Sequence, residues 1–210
     1  MAGAGGLDRR LLGFTLVEML IVIAIIVLLA GMLLPVLEQA LGKAECTSCL
    51  SNVRHLALGA RLYSDDYDEQ IIPARLDGPR GTLGTCWDVT IQGYVRNTHL
   101  LLCPADETPA AAAGCVSYPH SYGINFALAF VGGYNASSLR LSQVEEPCRT
   151  ILFFELAGTY RTFGADYDAG GLERYDAQRH NGGANCAFLD GHAKWLRPEA
   201  TVEPTNLWKP

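Results

Sequence analysis

Leu12-Gly13-Phe14-Thr15-Leu16-Val17-Glu18 is the stretch that decides how this chain is read. It opens an apolar run that continues to Leu37 and carries one carboxylate, Glu18, near its start. Phe14 to Leu37 spans about 24 residues, about 36 Å as a helix, enough for a hydrocarbon core of about 30 Å. An ionisable side chain inside such a helix is costly, so it implies a partner and a role. Just upstream lie Arg9 and Arg10, then the small residue Gly13, which suits a processing site. A secretory signal would have a shorter apolar core followed by a small-residue cleavage site, whereas here the chain continues helically. A plain single-pass anchor explains the length and the orientation. It does not explain Glu18 beside a Gly-Phe junction.

The 210 residues allow one modest domain plus an anchoring element. With 49% hydrophobic and 18% charged residues the composition is that of a folded protein. A net charge of −6 argues against nucleic acid as the main partner, because no basic cluster exists to neutralise phosphates. Arg9 and Arg10 precede the apolar run and acidic residues dominate beyond it, so the positive-inside rule keeps the N-terminus cytoplasmic. The expected topology is single-pass in the inner membrane, with everything after Leu37 exported. All seven cysteines (Cys46, Cys49, Cys86, Cys103, Cys115, Cys148, Cys186) lie in that exported part. An oxidising compartment permits disulfides, and the odd count leaves at least one thiol unpaired.

Beyond Pro35 the pattern turns amphipathic. Leu37, Leu41, Ala44, Leu50, Val53, Leu56, Ala57, Ala60 and Tyr63 recur mostly at three- and four-residue steps. This predicts one nearly continuous helix over 14–66 whose second half buries a stripe against a globular head. Pro35 either bends the helix as it leaves the membrane or loosens it locally. The acidic end, Asp65-Asp66-Tyr67-Asp68-Glu69, offers oxygen ligands suited to calcium, but it lacks a spaced loop with a central glycine and reads better as a solvated helix end. From Ile72 to Arg149 the text is loop-rich, with ordered fragments at Trp87–Val95 and His99–Pro104 and a surface tip at Ala110–Ala113. Thr150–Leu156 reads as a buried strand, and Asn185–Leu189 and Ala193–Leu196 as a hairpin turned at Asp190-Gly191.

Gly13-Phe14-Thr15-Leu16-Val17-Glu18 resembles the cleavage and methylation signature of type IV pilins and of the pseudopilins of type II secretion. The resemblance implies a leader over 1–13, removed after Gly13 by a prepilin peptidase/N-methyltransferase that also methylates Phe14. Glu18 is then the fifth mature residue, where the family keeps its acidic side chain, and Pro35 the twenty-second, where many members carry a proline. Phe14, Glu18 and Pro35 are the expected assembly residues, and the partners are other copies or other pilin-like subunits in a cell-surface or periplasmic filament. The implied fold is α+β and pilin-like. A transmembrane or filament-core helix occupies 14–37 and its amphipathic continuation 38–68. A small antiparallel β-sheet head fills 69–210. Whether the filament is a pilus or a pseudopilus stays open. A second resemblance rests on His180, nine residues, then Asp190-Gly191, the H-X9-DG signature of a group of prepilin-like proteins. Cys49-Leu50-Ser51-Asn52-Val53, Asp66-Tyr67-Asp68, Cys103-Pro104 and Tyr122-Gly123-Ile124-Asn125 also look like that group.

Cys49–Cys103 is the favoured disulfide, tying the helix to the head. Cys46-Thr47-Ser48-Cys49 has a CxxC spacing but lies inside a long helix, away from the N-terminal position that activates a redox thiolate, and no second CxxC completes a zinc set. His180, Asp190 and His192 flank the hairpin and are candidate metal ligands. A structural role, with His180 bonding the hairpin and His192 pointing outward, is the favoured alternative. No nucleophile elbow or paired catalytic motif is visible, so no enzymatic activity is expected. The rival reading is a membrane-anchored module that binds calcium, another metal or a glycan, and it would use loop aromatics such as Tyr134, Tyr160 and Tyr175.

Overall fold

The apolar run and the amphipathic stripe merge into one helix, α1 (Leu16–Asp66), of 51 residues, which continues through Pro35. It starts two residues later than the pattern suggests because Thr15 is spent as the cap: its hydroxyl accepts from the Glu18 N–H at 3.2 Å. The computed structural model describes residues 14–76, 84–109, 111, 115–129, 138–156, 179–202 and 206–210. Gly13 and the leader lie outside them, as do Tyr134, Tyr160, Tyr175 and all of Ala110–Ala113 except Ala111. The chain divides into two compact units, Met1–Leu41 and Gly42–Pro210.

In the first unit the helix leaves its apolar side chains uncovered from Leu16 (80% exposed) to Leu41. This is the one helix among the described residues that is long and apolar enough to cross a membrane, with a mean hydropathy of 3.2 in its most apolar window. In the second unit the helix buries Cys49, Val53, Leu56, Ala57, Ala60 and Tyr63. The expected stripe is therefore shortened. Leu37, Leu41 and Ala44 are exposed, and burial begins only at Cys49, where the head supplies a surface to pack against.

That surface is a four-stranded antiparallel sheet in the order β3 (Tyr122–Ile124), β4 (Ile151–Glu155), β5 (Ala184–Phe188), β6 (Ala193–Leu196). Before it come a two-stranded ribbon, β1 (Arg75–Leu76) with β2 (Thr85–Cys86), and two single-turn helices, α2 (Trp87–Thr90) and α3 (Gln92–Val95). A further turn, α4 (Phe126–Ala129), follows β3. Strand alternation divides the sheet between two cores. Tyr122, Ile124, Phe153 and Ala187 pack with the helix stripe, while Phe154, Cys186, Phe188 and Leu196 pack with Trp208. Glu155 and Asn185 share the parity of Phe153 and Ala187. The same alternation that builds the core thus aims one carboxylate and one amide at the helix.

The β5–β6 hairpin forms where Asp190-Gly191 predicts it, with Gly191 at φ +93° and its N–H donating to Phe188 O at 3.0 Å. At the other end of β5 the backbone turns tightly through Asn181 (φ +56°) and Gly182 (φ +80°). Gly183 then passes under Trp195. A β-carbon there would meet the indole ring and lie 2.5 Å from the Leu196 carbonyl oxygen. Gly183→Ala is expected to destabilise the head by about 1–3 kcal/mol, read as a lower urea midpoint. Unchanged stability would show that the Trp195 ring and the Leu196 carbonyl both yield freely.

Candidate functional site

Two constellations carry chemistry. The first lies at the start of α1. The Thr15 N–H and hydroxyl donate to Glu18 Oε2 at 2.9 and 2.7 Å, and the Glu18 N–H donates back to Thr15 Oγ1. This is a reciprocal capping box, which the Thr-x-x-Glu spacing ahead of an apolar run encodes and which the sequence reading passed over. Both of these bonds use Oε2, and among the described residues nothing bonds Oε1. Phe14, which precedes Thr15 in the chain, is 74% exposed. Glu18 therefore has a local structural role in the single chain, with one carboxylate oxygen still available.

The second constellation is buried in the head. Cys49 of α1, Cys103, Glu155 of β4 and His180 are all buried, and their ligand atoms lie within 4.8 Å of one another. His180 Nε2 sits 3.0 Å from Glu155 Oε1 and 3.4 Å from Cys103 Sγ. Each residue is held by local structure. Asn97 caps a 3-10 turn, Thr98–Leu101, by accepting from the His99 N–H at 3.0 Å, and the chain leaves that turn extended into Cys103. The Cys103 N–H then donates to Ser121 Oγ at 3.0 Å, next to β3. Asn52 donates to Leu102 O at 3.0 Å, fixing this segment against α1. Asn185 donates from its backbone N–H to Glu155 Oε2 and from its side chain to Oε1, both at 3.0 Å. Trp195 Nε1 donates to His180 O at 2.9 Å. Arg179, next in the chain, pairs with Asp106 at 3.3 Å and donates to Leu156 O at 2.7 Å.

The electrostatics follow from this crowding. The hydrogen bond from Cys49 opposes the cost of burial and, with a further bond from His180, lowers Cys103 to about 6. The same contact pushes the Cys49 thiol far up, and its burial adds to the shift. Burial disfavours charge on His180, yet its bonds to Cys103 and Glu155 outweigh that and raise it to about 10. His180 Nδ1 is buried with no hydrogen-bond partner.

Several expectations change here. Cys49 and Cys103 come together as expected, but both are free thiols and no disulfide joins them. The cross-link in the structure is Cys86–Cys115. Val116 pairs with β2, with the Cys86 N–H donating to its carbonyl at 3.0 Å, and this brings Cys115 beside Cys86. Cys46 does not share a site with Cys49; it faces Asn185, 3.7 Å from the amide oxygen. His180, Asp190 and His192 do not form a common ligand set among the described residues. His180 turns into the core, while His192 Nδ1 pairs with Asp190 Oδ1 at 2.6 Å and its ring stacks on Phe188. At the acidic helix end Asp65 pairs with Arg61 at 3.4 Å and Asp66 accepts from Tyr94 at 3.0 Å.

No curated protein and no solved structure matches the chain. Residues 9–34 match the family described as the prokaryotic N-terminal methylation motif. Together with the long helix and the small antiparallel head, this marks the chain as carrying the N-terminal processing signature of a prepilin-type pilin or pseudopilin.

Proposed function

We propose that this protein is a structural subunit with no reaction of its own, cleaved after Gly13, methylated on Phe14, and assembled through its N-terminal helix into a pilus-like or pseudopilus filament. The carrying observation is the uncovered apolar helix of the first unit, headed by Glu18 within the methylation motif. Before assembly a membrane covers that surface; in the filament, neighbouring helices replace the lipid. Glu18, with Oε1 available, pairs with the new amino group of Phe14 on an adjacent subunit. Such a pair gains little net energy once desolvation is counted. An unpaired carboxylate among apolar helices is costly, however, so the pair sets the axial register between subunits. Arg9 and Arg10 hold the leader on the cytoplasmic side, and the head is exported.

Immunogold microscopy of filaments sheared from the native host tests this reading. The chain should label the filament shafts. Label confined to the membrane as monomer would favour the anchored ligand-binding module instead.

A further inference from the structure

We propose that Cys49, Cys103, Glu155 and His180 form a structural zinc site that pins the head's sheet and its Cys103 segment to the head-side half of α1. Four lone-pair donors converge here, from four separated parts of the chain, in a place where every contributing residue is buried. One imidazole nitrogen, Nε2, faces both the Glu155 carboxylate and the Cys103 sulfur, so a single N–H must serve two acceptors. The cluster holds more lone pairs than protons to share among them, and a divalent cation resolves that imbalance. Two thiolates, one imidazole and one carboxylate are the donor types that zinc takes in tetrahedral sites. Metal–ligand bonds of about 2.0–2.3 Å give ligand–ligand edges of about 3.3–3.8 Å. The observed 3.0 and 3.4 Å edges at Nε2 already approach them.

The surrounding bonds suit a metal site as well. Asn185 orients Glu155 through both carboxylate oxygens, as outer partners of metal-bound carboxylates do. Asn52 donates to the Tyr122 hydroxyl at 3.4 Å and to Leu102 O, next to Cys103, at 3.0 Å, and so holds this segment against the helix. An open groove of about 450 Å³, bordered by Asn52, His99, Leu102, Cys103 and Asp106, touches the cluster at Cys103. A bound ion takes both sulfurs as thiolates and Nε2 without its proton, so protons leave as the ion enters.

The test uses the full-length protein extracted in detergent without chelator. Elemental analysis should find about one zinc per chain. A sample stripped of metal, reduced and refilled with cobalt should show thiolate-to-cobalt charge transfer and the visible bands of a tetrahedral ion. Cys103→Ser and His180→Ala should each lower zinc content by about tenfold or more, while His192→Ala retains it. The wild-type cobalt spectrum keeps the proposal testable if those variants fold poorly. No zinc after reduction and loading, or zinc unaffected by both cluster substitutions, would overturn it. So would an unreduced digest in which Cys49 and Cys103 peptides are linked and the metal is absent.

Discussion

Glu18→Gln is expected to leave cleavage and helix formation intact and to cut incorporation into filaments by on the order of 100-fold. The substitution separates the two roles of this side chain. Glutamine still accepts from Thr15, so the capping box that starts α1 survives. What it lacks is the negative charge that pairs with an ammonium. Glu18→Ala removes both roles and should assemble no better. Thr15→Ala removes the cap alone and should assemble far more nearly like the parent. Quantifying each variant in membrane and sheared-filament fractions decides the matter. If Glu18→Gln assembles normally while Thr15→Ala fails, Glu18 acts only as a helix cap and the intersubunit pair is wrong.

Phe153→Ala should be the most damaging single truncation in the head, costing about 3–5 kcal/mol. Phe153 is fully buried on the helix-facing side of β4, with its ring 4.9 Å from that of Trp87. It thus joins the sheet, the α2 turn and the α1 stripe at one point. A loss of that size rivals the total stability of many domains, about 5–15 kcal/mol. A urea titration of the detergent-solubilised chain should show a large drop in midpoint or no folded head at all. Leu33→Ala, in the apolar half of α1 and 66% exposed, should leave that midpoint unmoved. Equal effects at the two positions would contradict the separate roles assigned to the halves of α1.

Features governed by local pattern were legible before the structure. Val53, Leu56, Ala57, Ala60 and Tyr63 carry a helical period, β4 is apolar from Ile151 to Phe154, and Asp190-Gly191 demands a tight turn. Shorter pieces were not. β3 has three residues with a glycine in the middle, and β1 and β2 have two each, so their pairing is decided by the tertiary fold. The Cys86–Cys115 bond had no spacing signature, since it follows from the pairing of Val116 with β2. The buried cluster joins Cys103 to a histidine 77 positions away, a distance no local motif spans. Signals toward it nonetheless existed. Glu155 ends an otherwise apolar strand, and a carboxylate there requires a partner. The nine residues between His180 and Asp190 also acquire a physical reason. They are β5 with the turns at its ends, so the spacing places the histidine at one end of the strand and the hairpin at the other.

The most direct test of the account is mass analysis of the N-terminal peptide from the protein purified out of its native host. The account predicts a peptide that begins at Phe14 and carries one N-methyl group. A peptide running uncut across Gly13–Phe14, in protein isolated from filaments, would contradict it.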